Sequence, residues 1–272
     1  MTSAREPTAS GQPVPAPDQP AGHQLLAGKV VVITAAAGAG IGSAAARRCL
    51  EEGARVAISD QHEARLAAFA SELAEVYGDS VWSTPCDVTD DRSVQALIAG
   101  AAGHFGRIDV MINNAGLGGT KSVLEMTDAE WTRVLDITLN GTFRGTRAAL
   151  RHMVAQGQGG AVVNNASVLG WRAQEGQAHY AAAKAGVMAL TRCAAVDVAS
   201  YGIRVNAVAP SLATHPFLAK VMSQELLDEL ARREAFGRGA EPWEVANVMV
   251  FLASDYASYL TGEVVSVSSQ HA

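Results

Sequence analysis

The chain has 272 residues, 49% of them apolar and 18% charged, enough to bury the core of one large α/β domain. Its net charge of −6, with only four lysines, excludes a basic surface built for nucleic acid or anionic lipid and leaves a small molecule as the expected partner. Cys49, Cys86 and Cys193 are too scattered for a disulfide framework or a zinc site, and neither a membrane span nor an export leader is legible, so the reading is a cytoplasmic protein.

Residues 1–24 are rich in Pro, Ala, Ser, Gly and Gln without any hydrophobic period, which predicts a flexible tail ahead of a single domain over 25–272. From Gly28 onward, short β-branched runs alternate with Ala-rich amphipathic stretches, the pattern of βαβ units around a buried parallel sheet. Seven strands are expected: Lys29 to Thr34, Arg55 to Ser59, Val81 to Cys86, Ile108 to Asn113, Gly160 to Asn165, Arg204 to Val208 and Glu263 to Val267. Helices are expected near 41–52, 62–76, 90–104, 128–156, 178–200 and 241–253. The stretch 211–240, with Pro216, Gly237, Gly239 and a charged helical patch, breaks the alternation and is expected to form a lid or substrate loop.

The first strand runs into Thr34-Ala35-Ala36-Ala37-Gly38-Ala39-Gly40-Ile41-Gly42 and a helix begins at once. Glycines there let the backbone approach a pyrophosphate, and the free N–H groups and dipole of the helix start favour its charge. The same glycines also suit a plain tight turn. Asp60 ends the second strand 18 residues after Gly42, where a carboxylate can take hydrogen bonds from an adenosine ribose and repel the extra phosphate of NADP, so NAD is the expected cofactor. An N-cap for the helix near His62 is the other role open to Asp60. Gln61 and His62 after it form no evident phosphate clamp, although Arg65 is within reach of such a phosphate. Asp87 follows the third strand with two roles open, contact with an adenine amino group or capping of the helix near Asp90. Asn113-Asn114-Ala115-Gly116 closes the fourth strand as either a cofactor-lining turn or an ordinary polar one.

Tyr180 and Lys184 stand four residues apart in His179-Tyr180-Ala181-Ala182-Ala183-Lys184, on one face of a helix. A phenol with a pKa of about 10 is a poor base at neutral pH, and an adjacent ammonium and a cationic nicotinamide are expected to lower it. Ser167 precedes Tyr180 by 13 residues and offers a hydroxyl for the reacting oxygen.

Taken together, Gly38 to Gly42, Asp60, Asp87, Asn113 to Gly116, Ser167, Tyr180 with Lys184, and Asn206-Ala207-Val208-Ala209-Pro210 with Thr214 resemble the short-chain dehydrogenase/reductase family over about Gly28 to Ser268. The resemblance implies a seven-stranded doubly wound Rossmann sheet, a homotetramer, and oxidoreduction of a secondary alcohol or ketone. It also implies Tyr180 as acid/base, Ser167 as holder of the reacting oxygen, and Lys184 as a ribose contact that tunes Tyr180. Gly38, Gly40, Ile41, Gly42, Asp60, Asp87, Val88, Asn114, Ala115, Gly116, Tyr180, Lys184, Pro210 and Thr214 are the cofactor contacts it implies. Three positions depart from the family pattern. Ala35 stands where a glycine is usual, Ser211 replaces a glycine after Pro210, and Thr138 occupies the place of a helix Asn that completes a proton relay to the lysine.

Thr34-Ala35-Ala36-Ala37-Gly38, the run Asn164 to Gln174, and the ending Leu260 to Ser268 are similar to a steroid-degradation subgroup whose members oxidise a ring hydroxyl of an indane carboxyl-CoA ester. That similarity implies a CoA-ester substrate, with Trp171 flanking a fused ring and Arg172, Lys121 or Arg232 meeting CoA phosphates. The other functions open to the sequence are an NADPH-dependent 3-oxoacyl-thioester reductase and a non-catalytic NAD-binding regulator.

Overall fold

A computed structural model describes residues 13–214 and 223–269. Strand β1 (Val30–Ile33) is buried along its whole length, and its side chains alternate between two cores: Val31 and Ile33 face one, Val30 and Val32 the other. β4 (Val110–Asn113) and β5 (Gly160–Asn165) divide their side chains the same way, as expected of a parallel sheet covered on both faces. With β2 (Arg55–Asp60), β3 (Val81–Pro85), β6 (Ile203–Pro210) and β7 (Val264–Val267) they form one all-parallel sheet in the order β3-β2-β1-β4-β5-β6-β7. All seven expected strands are present, with ends shifted by no more than two residues.

Helices α1 (Ile41–Glu51), α2 (Glu63–Tyr77) and α8 (Pro242–Ala253) cover one face; α3 (Asp91–Phe105), α5 (Gly141–Gln156) and α6 (Ala178–Val198) cover the other. The strand order reverses between β1 and β4, which opens a crevice at their carboxyl ends, the place where open α/β sheets bind ligands.

The single helix expected over 128–156 is interrupted. α4 (Asp128–Leu135) begins with a capping box in which Thr127 and Glu130 bond reciprocally, and a π-helical turn at Asp136–Asn140 separates it from α5. A π turn admits one extra residue and re-aims its side chains. Here it turns Thr138 into the interior, fully buried.

Residues 13–24 have no regular secondary structure, and several of them are bonded to the body. Arg48 donates to the Pro20 and Ala21 carbonyls, the His23 and Leu25 N–H groups donate to Glu52, and Val14 exchanges bonds with Phe236 and Arg238. Past β6, Ala213 pairs with Ala240, and α7 (Gln224–Arg233) supplies the expected charged helix. Pro216 lies outside the described residues.

Candidate active site

α6 brings its first turns to the end of β5. Tyr180 and Lys184 share one face, with the lysine amine 5.4 Å from the centroid of the tyrosine ring. Lys184 is 2% exposed, and its Nζ donates to the backbone carbonyl of Asn165 at 2.5 Å. Ser167, two residues beyond that carbonyl, accepts from the Leu169 N–H at 3.2 Å, and its hydroxyl is near enough to Tyr180 to bear on the phenol's acidity. The sequence-predicted trio is therefore assembled at the carboxyl edge of the sheet.

In the chain by itself, burial dominates the electrostatics of the pair. Burial pushes the Tyr180 pKa up to about 12, with the Ser167 hydroxyl opposing the shift. Burial also drives Lys184 down to about 7, so at neutral pH this amine is only partly charged.

The Thr138 hydroxyl hydrogen-bonds neither group. It accepts from the Leu117 N–H at 3.0 Å and donates to the Leu117 carbonyl at 3.2 Å, which uses the side chain entirely on the loop after β4. Gly116 occupies the space between: a Cβ there would stand 3.4 Å from Lys184 Nζ and 3.8 Å from Thr138 Oγ1. Asn140 bonds Asp136 on its own turn.

The strand ends are tied by amides. Asn113 donates to Thr146 at 3.1 Å and to Asn164 at 2.9 Å. Asn114 donates to the Thr34 and Ala35 carbonyls, which fixes its Oδ1 as the acceptor for Asn165 Nδ2 at 3.0 Å. By the same chain of constraints Asn165 Oδ1 is the orphan of the set, buried without a partner. Thr34, which the sequence did not single out, takes both the Asn114 and Ala115 N–H groups on its hydroxyl at 3.0 and 3.2 Å. A polar residue closing a buried strand was the available signal.

The turn between β1 and α1 fits a dinucleotide pyrophosphate. Ala35 holds the left-handed conformation, φ 50°, that a glycine would take without strain, and Gly38 makes a second bend at φ 118°. Ala35 and Gly38 thus share the tight bend of this turn. Gly40 caps α1, Ile41 opens it, and no acidic residue lies in its first turn to compete with an anion. A Cβ at Gly42 would meet the Ala35 carbonyl at 2.3 Å and Asn114 Nδ2 at 2.4 Å, so only glycine lets the helix sit this close to the turn.

Asp60 is buried at the end of β2, and its Oδ1 accepts from His62 N at 2.9 Å and Arg65 Nη2 at 2.8 Å. His62, not Asp60, is the N-cap of α2. Asp87 likewise leaves capping to another residue: Asp90 caps α3, while Asp87 accepts from Thr89. Val88 is buried beside Gly141, and its carbonyl takes a bond from Arg144 at 3.2 Å. At the other end of the cleft, Pro210 ends β6 against Val267, and exposed Thr214 bonds the Ala240 carbonyl at 3.2 Å. Among the described residues there is no cluster of metal-binding side chains and no helix long and apolar enough to cross a membrane.

This architecture and the Ser, Tyr and Lys at its carboxyl edge define a doubly wound oxidoreductase. A family model described as enoyl-(acyl carrier protein) reductase matches residues 35–269. The chain is 63% identical, over 94% of its length and 98% of the relative's, to (5R,7aS)-5-hydroxy-7a-methyl-1-oxo-2,3,5,6,7,7a-hexahydro-1H-indene-carboxyl-CoA reductase of Mycobacterium tuberculosis. It is 44% identical, over 90% of its length and 96% of the relative's, to cis-4-hydroxycyclohexanecarboxylate dehydrogenase of Sinomonas cyclohexanicum. A crystal structure of a short chain dehydrogenase from Mycobacterium smegmatis superposes with a TM-score of 0.85 at 56% identity, covering 95% of this chain and 99% of that one. The chain belongs to the short-chain dehydrogenase/reductase family, whose members use a nicotinamide cofactor.

Proposed function

We propose that the protein is an NAD-dependent dehydrogenase/reductase that interconverts a ring hydroxyl and its ketone on a steroid-derived CoA thioester. The observation that carries the reaction is the buried Lys184, held by the Asn165 carbonyl with its amine 5.4 Å from the centroid of the Tyr180 ring, at the strand end that leads into Ser167. The names of the two relatives, both acting on a ring alcohol or ketone that bears a carboxyl or carboxyl-CoA group, support the substrate class.

When bound, the nicotinamide supplies the hydride acceptor or donor and, in its oxidised form, a positive charge. In the oxidising direction Tyr180 Oη takes the proton of the carbinol hydroxyl while the carbinol hydrogen leaves as hydride; in reduction the phenol returns the proton to the forming alcohol. Ser167 Oγ holds the reacting oxygen and stabilises charge developing on it. Lys184 binds the nicotinamide ribose, held in place by the Asn165 carbonyl. Gly38, Gly40, Ile41 and Gly42 receive the pyrophosphate, Asp60 the adenosine ribose, and Asp87 and Val88 the adenine. Asn114, Ala115, Gly116, Pro210 and Thr214 line the middle and nicotinamide ends. Thr138 acts one step away, by fixing Leu117 and the loop over Lys184.

The carboxylate of Asp60 supports NAD over NADP. Stretch 211–240 serves as the substrate loop, and the exposed Trp131 and Phe143, with Tyr256 and Tyr259, support assembly as a homotetramer. Cytoplasmic location accords with the three free thiols. The test is kcat/KM for a ring-hydroxy acyl-CoA thioester and for a 3-oxoacyl thioester, each with NAD(H) and NADP(H). The account expects the first substrate with NAD to lead; preference for the second with NADPH overturns it.

A further inference from the structure

Ser167 is followed by a turn that doubles back at once, with the N–H groups of Trp171 and Arg172 both donating to the Val168 carbonyl at 2.9 and 3.0 Å. The segment then runs to the start of α6 and is stapled to the loop after β4: Lys121 N donates to the Gly176 carbonyl at 2.9 Å, and Gln177 Nε2 to Thr120 Oγ1 at 3.2 Å. That partner loop passes under the catalytic tyrosine, for a Cβ at Gly118 would lie 3.7 Å from the Tyr180 ring. Trp171 and Arg172 therefore sit on the frame of the site.

Arg172 is unlike the arginines that tie the fold together. Arg48, Arg144 and Arg238 are held by carboxylates, and Arg204 by three backbone carbonyls at the end of α8. The Arg172 side chain makes no hydrogen bond or ion pair among the described residues, yet its Nη1 is shielded from solvent. A guanidinium N–H that has lost water and gained no acceptor is costly, and the group as a whole is only part-buried, so a ligand can still reach it. Beside it Trp171 leaves 53% of its surface open. An exposed aromatic side chain and an unpaired guanidinium on successive residues of this segment suit a ligand with an apolar ring and an anionic arm.

We propose that Arg172 is a specificity-determining residue that binds an anionic oxygen, of a carboxylate or a phosphate, on the arm of the ring substrate. The inference rests on the proposed ring-alcohol reading for its substrate class.

The experiment compares three probes on the wild type and on Arg172→Met and Arg172→Lys: cis-4-hydroxycyclohexanecarboxylate, its CoA thioester, and uncharged cyclohexanol. Both kcat/KM and the calorimetric Kd on the NADH-loaded protein are read, with melting temperature as the check on folding. Arg172→Met should weaken an anionic probe by about 10- to 100-fold, through KM and Kd rather than kcat. Cyclohexanol and the KM for NAD should change less than about 3-fold, and Arg172→Lys should recover part of the loss. Loss on the free acid assigns the contact to a carboxylate; loss confined to the thioester assigns it to a CoA phosphate. Equal loss on cyclohexanol, or no loss on either anionic probe, overturns the proposal. A wild type that uses the free acid but not the thioester contradicts the CoA-ester reading while leaving Arg172 to be judged on the acid.

Discussion

Lys184 is clamped between Tyr180, whose ring centroid lies 5.4 Å from its amine, and Asn165, whose backbone carbonyl takes a proton from that amine at 2.5 Å. The two partners come from different elements, α6 and β5, so the amine is set by tertiary packing rather than by the helix alone. Burial makes its charged form expensive, and the single carbonyl does not restore what water provided.

A pH dependence of stability follows. The unfolded lysine keeps its proton up to about 10.5, the folded one only to about 7, so between those values the unfolded chain binds more protons and stability rises with pH. The burial cost is absent above the unfolded pKa and grows as pH falls toward 7. Urea unfolding at pH 7 and 9 should show the wild type gaining on Lys184→Met by up to about 1.4 kcal/mol per pH unit. Parallel stabilities for the two proteins would contradict a depressed Lys184.

Thr138→Val keeps the shape and removes the hydroxyl, leaving both Leu117 backbone groups without their partner. Chemical denaturation should show a loss of about 1–3 kcal/mol. Because the hydroxyl reaches neither Tyr180 nor Lys184, kcat should fall less than about 10-fold. A loss near that of removing the tyrosine hydroxyl would place Thr138 in the proton path itself.

Gly42→Ala drives a methyl group into the Ala35 carbonyl and Asn114. It should cost about 1–3 kcal/mol and weaken NAD binding by calorimetry. Ala35→Gly should do neither, since the φ of 50° already suits glycine. Undiminished NAD affinity in Gly42→Ala would remove this turn from the cofactor site.

Asp60→Ser should lower kcat/KM for NAD by about 10-fold or more and raise that for NADP, because the repelling carboxylate goes and Arg65, now paired with it, stays. Steady-state kinetics with both cofactors checks this; an unchanged ratio would sink the role given to Asp60.

Much of the fold was legible because alternation of strands and helices leaves few topologies. All seven strands and the Tyr180 and Lys184 pair were readable from local pattern, whereas Ser167 stood out only through the family resemblance. What local pattern cannot hold is the meeting of strand ends. The Thr34 clamp, the Asn114 to Asn165 bridge and the carbonyl on Lys184 depend on the register of β1, β4 and β5. The π turn was hidden for a related reason: 128–156 has helical composition throughout, and it is the contact of Thr138 with Leu117 that accompanies the extra residue. The burial of Lys184 was hidden too, because spacing reports proximity along a helix and says nothing of depth.

The central claim is that Tyr180 carries the proton. Single-turnover formation of reduced nicotinamide from a ring-hydroxy acyl-CoA thioester and NAD, followed by absorbance in wild type and Tyr180→Phe, tests it most directly. The phenyl ring keeps the packing against Lys184 and loses only the hydroxyl. The account predicts an unchanged NAD dissociation constant, a rate reduced by about 100- to 10,000-fold, and a wild-type rate that climbs with pH as the phenol ionises. A Tyr180→Phe protein turning over within about 10-fold of wild type would contradict it.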